Sequence, residues 1–294
     1  MSDGIRIWTP QTPNGAATVA ECIEAYREFL RVLYPQHLKA FDSRRQADPD
    51  SACAEAVVFS VLRTERQEPS VAEVLGSGGP DFLCLPGSDR AYFLEVTSLD
   101  RAAVERRSDW PDKISDQGRW FGDITRSVCN KCAQKAPQLA GRPAPRVLAI
   151  CTTHSGASVL LGTLAAEDLM TPEASVSVPD GASAEEARRI ADMRVSPFLE
   201  IQDGNLVPVR RSISAILLVT IHGDGAGVLG LLHPDPAAKF DYRTLAKVPF
   251  LRFVGPVQDG APRTEWVVGD PEPKLSYHRA VSLSDAELQG ETLR

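Results

Sequence analysis

The chain has 294 residues, 43% apolar and 24% charged, with a formal net charge of −7. That balance excludes wholesale disorder, and the acidity excludes a chain-wide basic coat while leaving room for a local basic segment. No apolar run approaches the ~20 residues of a membrane span. The first residues, MSDGIRIWTP, lack the basic start and apolar run of a secretory signal. The six cysteines sit mostly inside apolar runs, so a cytoplasmic protein with reduced thiols is expected.

In chain order, apolar residues at 23, 26, 30, 33 and 34 predict one helix over Thr18–Leu38. The segment FDSRRQADPD reads as a polar break, after which Asp50 or Ser51 caps a helix over Ala52–Arg66. A short helix is expected over Pro69–Leu75, then a turn at GSGGP. DFLCL and AYFLEVT read as two strands joined by PGSDR, a hairpin signal. A helix over Gly118–Ala136, a strand RVLAICTT and a helix over Ser155–Leu169 follow. Residues 171–211 are acidic and variable, with a helix expected at 182–193 and a small hairpin around Asp203–Asn205. SAILLVTI and GVLGLL pair across HGDGA, and the last forty residues are Pro-rich and unassigned. This order predicts an α/β (α+β) fold with a mixed central sheet flanked by helices. The expected division is a helical extension over 1–49, an α/β core over 50–255 with an acidic insertion near 171–211, and an irregular tail over 256–294.

Residues 100–146 carry ten Lys/Arg against six Asp/Glu, whereas 167–203 hold nine carboxylates against three Arg. An acidic chain with one basic segment is suited to receiving an anion there. A five-residue loop pairs Cys84 with Tyr92 and Leu83 with Phe93, which sets Asp81 opposite Glu95. Like charges ~5 Å apart across a ladder are destabilising unless a cation lies between them or one is protonated. Both are hard oxygen ligands, suited with waters to Mg²⁺ or Mn²⁺. Glu55 borders the apolar stripe of its helix, beside Val58 and Leu62, and can reach the sheet edge. On the later helix Ile124, Val128, Lys131, Lys135 and Gln138 fall on one stripe, apolar at first and ending in two lysines and an amide. Lysines that continue a buried stripe need partners, and carboxylates are the obvious ones. Pro137 is expected to turn Gln138 off that stripe.

A helical Glu, then GGPDF, then a hairpin strand with YFLEVTS, then a helix with KxxxKxxQL, resembles the PD-(D/E)XK nuclease superfamily over roughly residues 50–155. The resemblance implies a restriction-endonuclease-like core and a metal-dependent hydrolysis of phosphodiester bonds. It matches Glu55, Asp81 and Glu95 to the family's carboxylates. It implies Mg²⁺ or Mn²⁺ on Asp81, Glu95 and the Val96 carbonyl, with Glu55 completing the set or holding a second ion. The family's strand lysine is Thr97 here, so the signature reads E-V-T. Lys135, with Lys131 as alternate, is expected to supply the missing cation, and Gln138 resembles the glutamine often found there. The implied partner is nucleic acid, DNA first, along residues 101–146, with no membrane and with a homodimer as the assembly. The alternative is an inactive binding or structural module on the same fold, favoured by Thr97.

A zinc site on Cys129, Cys132, Cys151 and His154 has zinc-like spacing. It is disfavoured because the first pair falls on a predicted helix and Cys151 on a core strand. The glycine segments lack the Lys-Ser/Thr of a phosphate-binding loop, and no G-x-S-x-G elbow is present.

Overall fold

The computed structural model describes residues 17–76, 78–99, 117–154, 161–171, 196–202, 205–222, 225–254 and 263–269. The basic residues at 101–116 and the helix expected at 182–193 lie outside them.

The expected single N-terminal helix is two. Helix α1 spans Val19–Leu33 and α2 spans Pro35–Ala47. Pro35 cannot donate an amide and disfavours helical backbone at Tyr34, which adopts φ −139°. The segment read as a polar break is therefore mostly helical: Pro35 restarts the helix from its first turn, a position that tolerates proline. Thr18 and Glu21 form a reciprocal capping box at the start of α1. Helix α3 spans Pro49–Thr64, and its cap is Asp48, not Asp50 or Ser51, with the Asp48 side chain accepting from the Ser51 amide.

The helix expected at Pro69–Leu75 is instead a short edge strand, β1, Ser70–Val71. It pairs antiparallel with β2, Phe82–Cys84, which pairs antiparallel with β3, Tyr92–Ser98. Helix α4, Gln117–Leu139, then returns the chain to β4, Arg146–Thr152, parallel to β3. Helix α5 spans Thr163–Met170, and the first part of the helix expected from Ser155 lies outside the described residues. Strands β5, Leu199–Gln202, and β6, Asn205–Pro208, form the small hairpin. Strands β7, Ala215–His222, and β8, Gly225–Leu232, pair as expected. After a 3₁₀ turn at Tyr242–Leu245, β9, Phe250–Val254, and β10, Arg263–Val267, extend the sheet, so the tail expected from 256 contains a strand.

The main sheet has eight strands in the order β1-β2-β3-β4-β7-β8-β9-β10, with mixed pairing. The fold is thus a mixed α+β structure with helices on both sheet faces. Alternation along β4 divides the core: Val147, Ala149 and Cys151 pack with α1, α2 and α3, while Leu148 and Ile150 pack with α4 and α5. Residues of the N-terminal extension belong to the first of these cores, where Tyr26 meets Phe41, Phe59 and Phe82 at ring separations of 5.0, 4.9 and 5.9 Å. No helix among the described residues is long and apolar enough to cross a membrane.

Candidate active site

The hairpin register places the site. Cys84 pairs with Tyr92, Leu83 with Phe93 and Phe82 with Leu94, so Asp81 stands just outside the ladder, level with Glu95. Because β2 begins at Phe82, the edge of β3 beyond Leu94 has no strand beside it on that side among the described residues. Alternate amides of β3 point to either side. Phe93 N–H donates to the Pro145 carbonyl on the β4 side, and Val96 N–H donates at 2.6 Å to Asp81 Oδ2 on the other. A carboxylate thus caps the open edge, and the Val96 carbonyl leaves the strand on the same side as its amide.

Glu55 reaches this edge from α3 on one face of the sheet, and Lys135 reaches it from α4 on the other. Glu55 is 6% exposed. Its Oε1 accepts from Tyr26 Oη at 2.6 Å, and its Oε2 is paired with Arg44, whose other nitrogen lies 3.8 Å from Glu73. Glu95 is 5% exposed, and its Oε1 accepts from Lys135 Nζ at 2.6 Å. Gln138 Oε1 accepts from the same ammonium at 3.1 Å. The helix continues through Pro137 to Leu139, so Gln138 keeps its place beside Lys135, contrary to the expectation that proline would turn it away. The lysines do not continue the buried stripe. Among the described side chains of α4, Thr125, Val128, Cys132 and Leu139 are fully buried, and Lys131 and Lys135 border them half-buried. Lys131 forms no ion pair with the three carboxylates. The Ile124 side chain lies outside the described residues.

Burial lifts the pKa of all three carboxyls. For Glu55 it outweighs the Arg44 charge and the Tyr26 hydrogen bond. Asp81 is raised well above the ordinary range, by burial first and then by the charges of Glu55 and Glu95, against which the Val96 amide is a partial offset. Glu95 is raised by burial despite the Lys135 hydrogen bond. The two flanking acids therefore act electrostatically on Asp81 although their side chains approach from opposite faces. Three sequence positions not singled out as functional join the site: Tyr26, Arg44 and Glu73. Tyr26 lies in an apolar stripe, but a buried phenol needs a hydrogen-bond partner, and that need was its available signal.

No group of three or more Asp, Glu, His or Cys side chains is drawn together closely enough to hold a metal among the described residues. The zinc arrangement does not form: Cys129 and Cys132 pack in one core, and Cys151 packs in the other, across the sheet. All six cysteines are buried, and none is in a disulfide.

No family model, curated protein or solved structure matches the chain.

Proposed function

We propose that this protein is a metal-dependent nuclease-like enzyme that hydrolyses phosphodiester bonds in nucleic acid on a restriction-endonuclease-like core. The order α3-β1-β2-β3-α4-β4, an antiparallel meander followed by a parallel return, supports that core. The observation that carries the reading is Lys135 Nζ at 2.6 Å from Glu95 Oε1. An ammonium from α4 stands at the second carboxylate, where Thr97 on the strand supplies none.

The donor set fits Mg²⁺ or Mn²⁺. It offers hard oxygens, a carbonyl at an open strand edge, and carboxyls raised in pKa first by burial and, for Asp81, then by the charges of Glu55 and Glu95, which a cation would offset. One oxygen each of Asp81 and Glu95 accepts no hydrogen bond among the described residues. Asp81, Glu95 and the Val96 carbonyl would hold the ion, and Glu55, which is not drawn together with both other carboxylates, would complete the set only by moving in, or would hold a second ion. When bound, such an ion makes water more acidic and offsets charge on phosphate oxygens. Lys135 offers a positive charge to the oxygens that gain charge in the transition state, and Gln138 and Glu95 fix where that charge sits. Tyr26 and Arg44 hold the Glu55 carboxylate toward the edge. The nucleic acid, DNA first, follows the basic residues of 101–146, of which Arg126, Lys131, Lys135, Arg142 and Arg146 are among the described residues. A cytoplasmic homodimer belongs to the same reading.

The test is Mg²⁺ and Mn²⁺ calorimetry on wild type and Asp81→Asn, with plasmid cleavage on the same samples. Binding that is lost in the variant, with metal-dependent cleavage, supports the reading. Lys135→Ala is then expected to keep metal binding and lose cleavage by about 10²-fold or more. A wild type that binds neither ion overturns the proposal in favour of an inactive module. That second reading draws on Thr97 and on the pairing of Glu55 and Glu95 with Arg44 and Lys135.

A further inference from the structure

Arg146 opens β4 with its side chain on the α4 face, in alternation with Leu148 and Ile150. It is 4% exposed. Its Nη1 donates to the Arg142 carbonyl at 2.6 Å, but Nε and Nη2 are buried with no hydrogen-bond partner among the described residues. A guanidinium does not shed its proton in a protein, so this is a charge with unused donors rather than a group that can turn neutral. Buried charges of this kind are ordinarily paired. The site carboxylates do not serve: Glu95 pairs with Lys135, and Asp81 accepts from the Val96 amide.

The surroundings bring a second arginine, Arg142, to the same strands. Arg146 sits in register with Phe93, and Glu95 is the next residue on that strand face. The Arg142 guanidinium lies 5.3 Å from the centre of the Phe93 ring, and its Nη2 lies 3.4 Å from where a Cβ of Gly79 would stand. Gly79, at φ +133°, comes two residues before Asp81. A side chain at that position would be strained in backbone and would press on Arg142. Arg142 is exposed and forms no ion pair among the described residues. Two arginines without anionic partners among the described residues therefore adjoin the strands that carry Asp81 and Glu95.

We propose that Arg142 and Arg146 form a subsite for a phosphate oxyanion beside the carboxylates, and that its occupant is a backbone phosphate next to the one being hydrolysed. The nucleic-acid part of this statement rests on the function proposed above. The phosphate part rests on the arginines alone, whose planar donor forks match a phosphate edge. The exposed Arg142 recruits the anion, and the buried Arg146 fixes it.

The first probe is inorganic phosphate, titrated calorimetrically into the metal-free full chain. Wild type is expected to bind. Arg142→Ala, an exposed position at which the fold is kept, is expected to weaken binding tenfold or more. Arg146→Met, checked for folding by circular dichroism, is expected to lose it, and Asp81→Asn is expected to keep it. No binding by wild type overturns the subsite, as does unchanged binding in Arg142→Ala. The second probe is a short DNA duplex over a range of salt concentrations. A backbone occupant predicts that Arg142→Ala lowers the slope of log affinity against log salt by about one. Arginine-dependent phosphate binding with an unchanged slope overturns the backbone assignment in favour of free phosphate. Arginine-dependent phosphate binding in a chain that binds no divalent cation and cleaves no nucleic acid overturns the nuclease reading instead and leaves the subsite in place.

Discussion

Glu55 is a carboxylate nearly removed from water, and its two oxygens depend on two donors from the N-terminal helices. Tyr26→Phe takes one donor away and leaves the aromatic cluster in place. A buried oxygen left without its donor costs about 1–3 kcal/mol, so the urea midpoint at neutral pH is expected to fall. An unchanged midpoint would show that Oε1 finds another donor. Asp81 poses the opposite case. Its folded pKa lies above the unfolded value, so its protonated form is the one the fold favours. That contribution is fully present below the unfolded pKa of about 3.9 and is lost as pH rises through the folded value. At neutral pH, whether the buried group carries its charge or keeps its proton, Asp81 therefore opposes folding of the metal-free chain. Asp81→Asn is expected to raise the melting temperature at pH 7 by roughly 2–4 °C, and the gain should shrink toward pH 4. Melting curves across that range check the sign, and Mg²⁺ should raise the wild-type melting temperature but not the variant's.

At the scale of elements, caps and prolines decide where helices lie. The Asp48 carboxylate closes the N-terminus of α3, seven residues before Glu55, so a frayed first turn loosens the helix that aims that acid. Asp48→Ala is expected to cost about 1 kcal/mol, read from the denaturant midpoint, with no change in the number of transitions. The same local signals explain what the sequence made legible. The hairpin of β2 and β3 could be read in register because the PGSDR loop length fixes the pairing, and with it the level of Asp81 with Glu95. The β7–β8 pair was legible from two apolar runs across a glycine turn. The α1–α2 break was not, because the apolar spacing continues through Tyr34 and conceals the backbone effect of Pro35. Strand β1 was not, because two residues at an edge have no periodicity and are set by pairing with Leu83 and Phe82. In the site, Glu55, Asp81, Glu95 and Lys135 were legible from charge placed against apolar pattern. Arg44 was hidden in a segment with no apolar pattern, and only tertiary packing brings it to Glu55.

Among the described residues the main sheet carries a core on each face, with the β5–β6 hairpin apart from it, and the candidate site occupies the edge where helices from both faces reach the same strand end. The far part of the sheet is coupled to the site through the strands between and through the core that Phe250 shares with Tyr26 and Phe82. Gly230 on β8 is the point where that coupling is most exposed to a single substitution. It pairs with Phe250 of β9, and a Cβ there would stand 2.0 Å from Phe250 Cδ1. The Phe250 ring is fully buried in the core that also contains Tyr26 and Phe82, so it has little room to withdraw. Gly230→Ala therefore overpacks a site that several elements share, and such changes cost about 1–3 kcal/mol, occasionally more. If the eight strands unfold together, the variant melts earlier in a single transition. Far-ultraviolet and near-ultraviolet circular dichroism should move together, while divalent-cation binding well below the transition stays at the wild-type level because β2 and β3 are untouched. A melting curve that splits, with one part unmoved, would instead assign the β8–β10 end and the site-bearing strands to separately unfolding units, and stabilising one would then leave the other as it was.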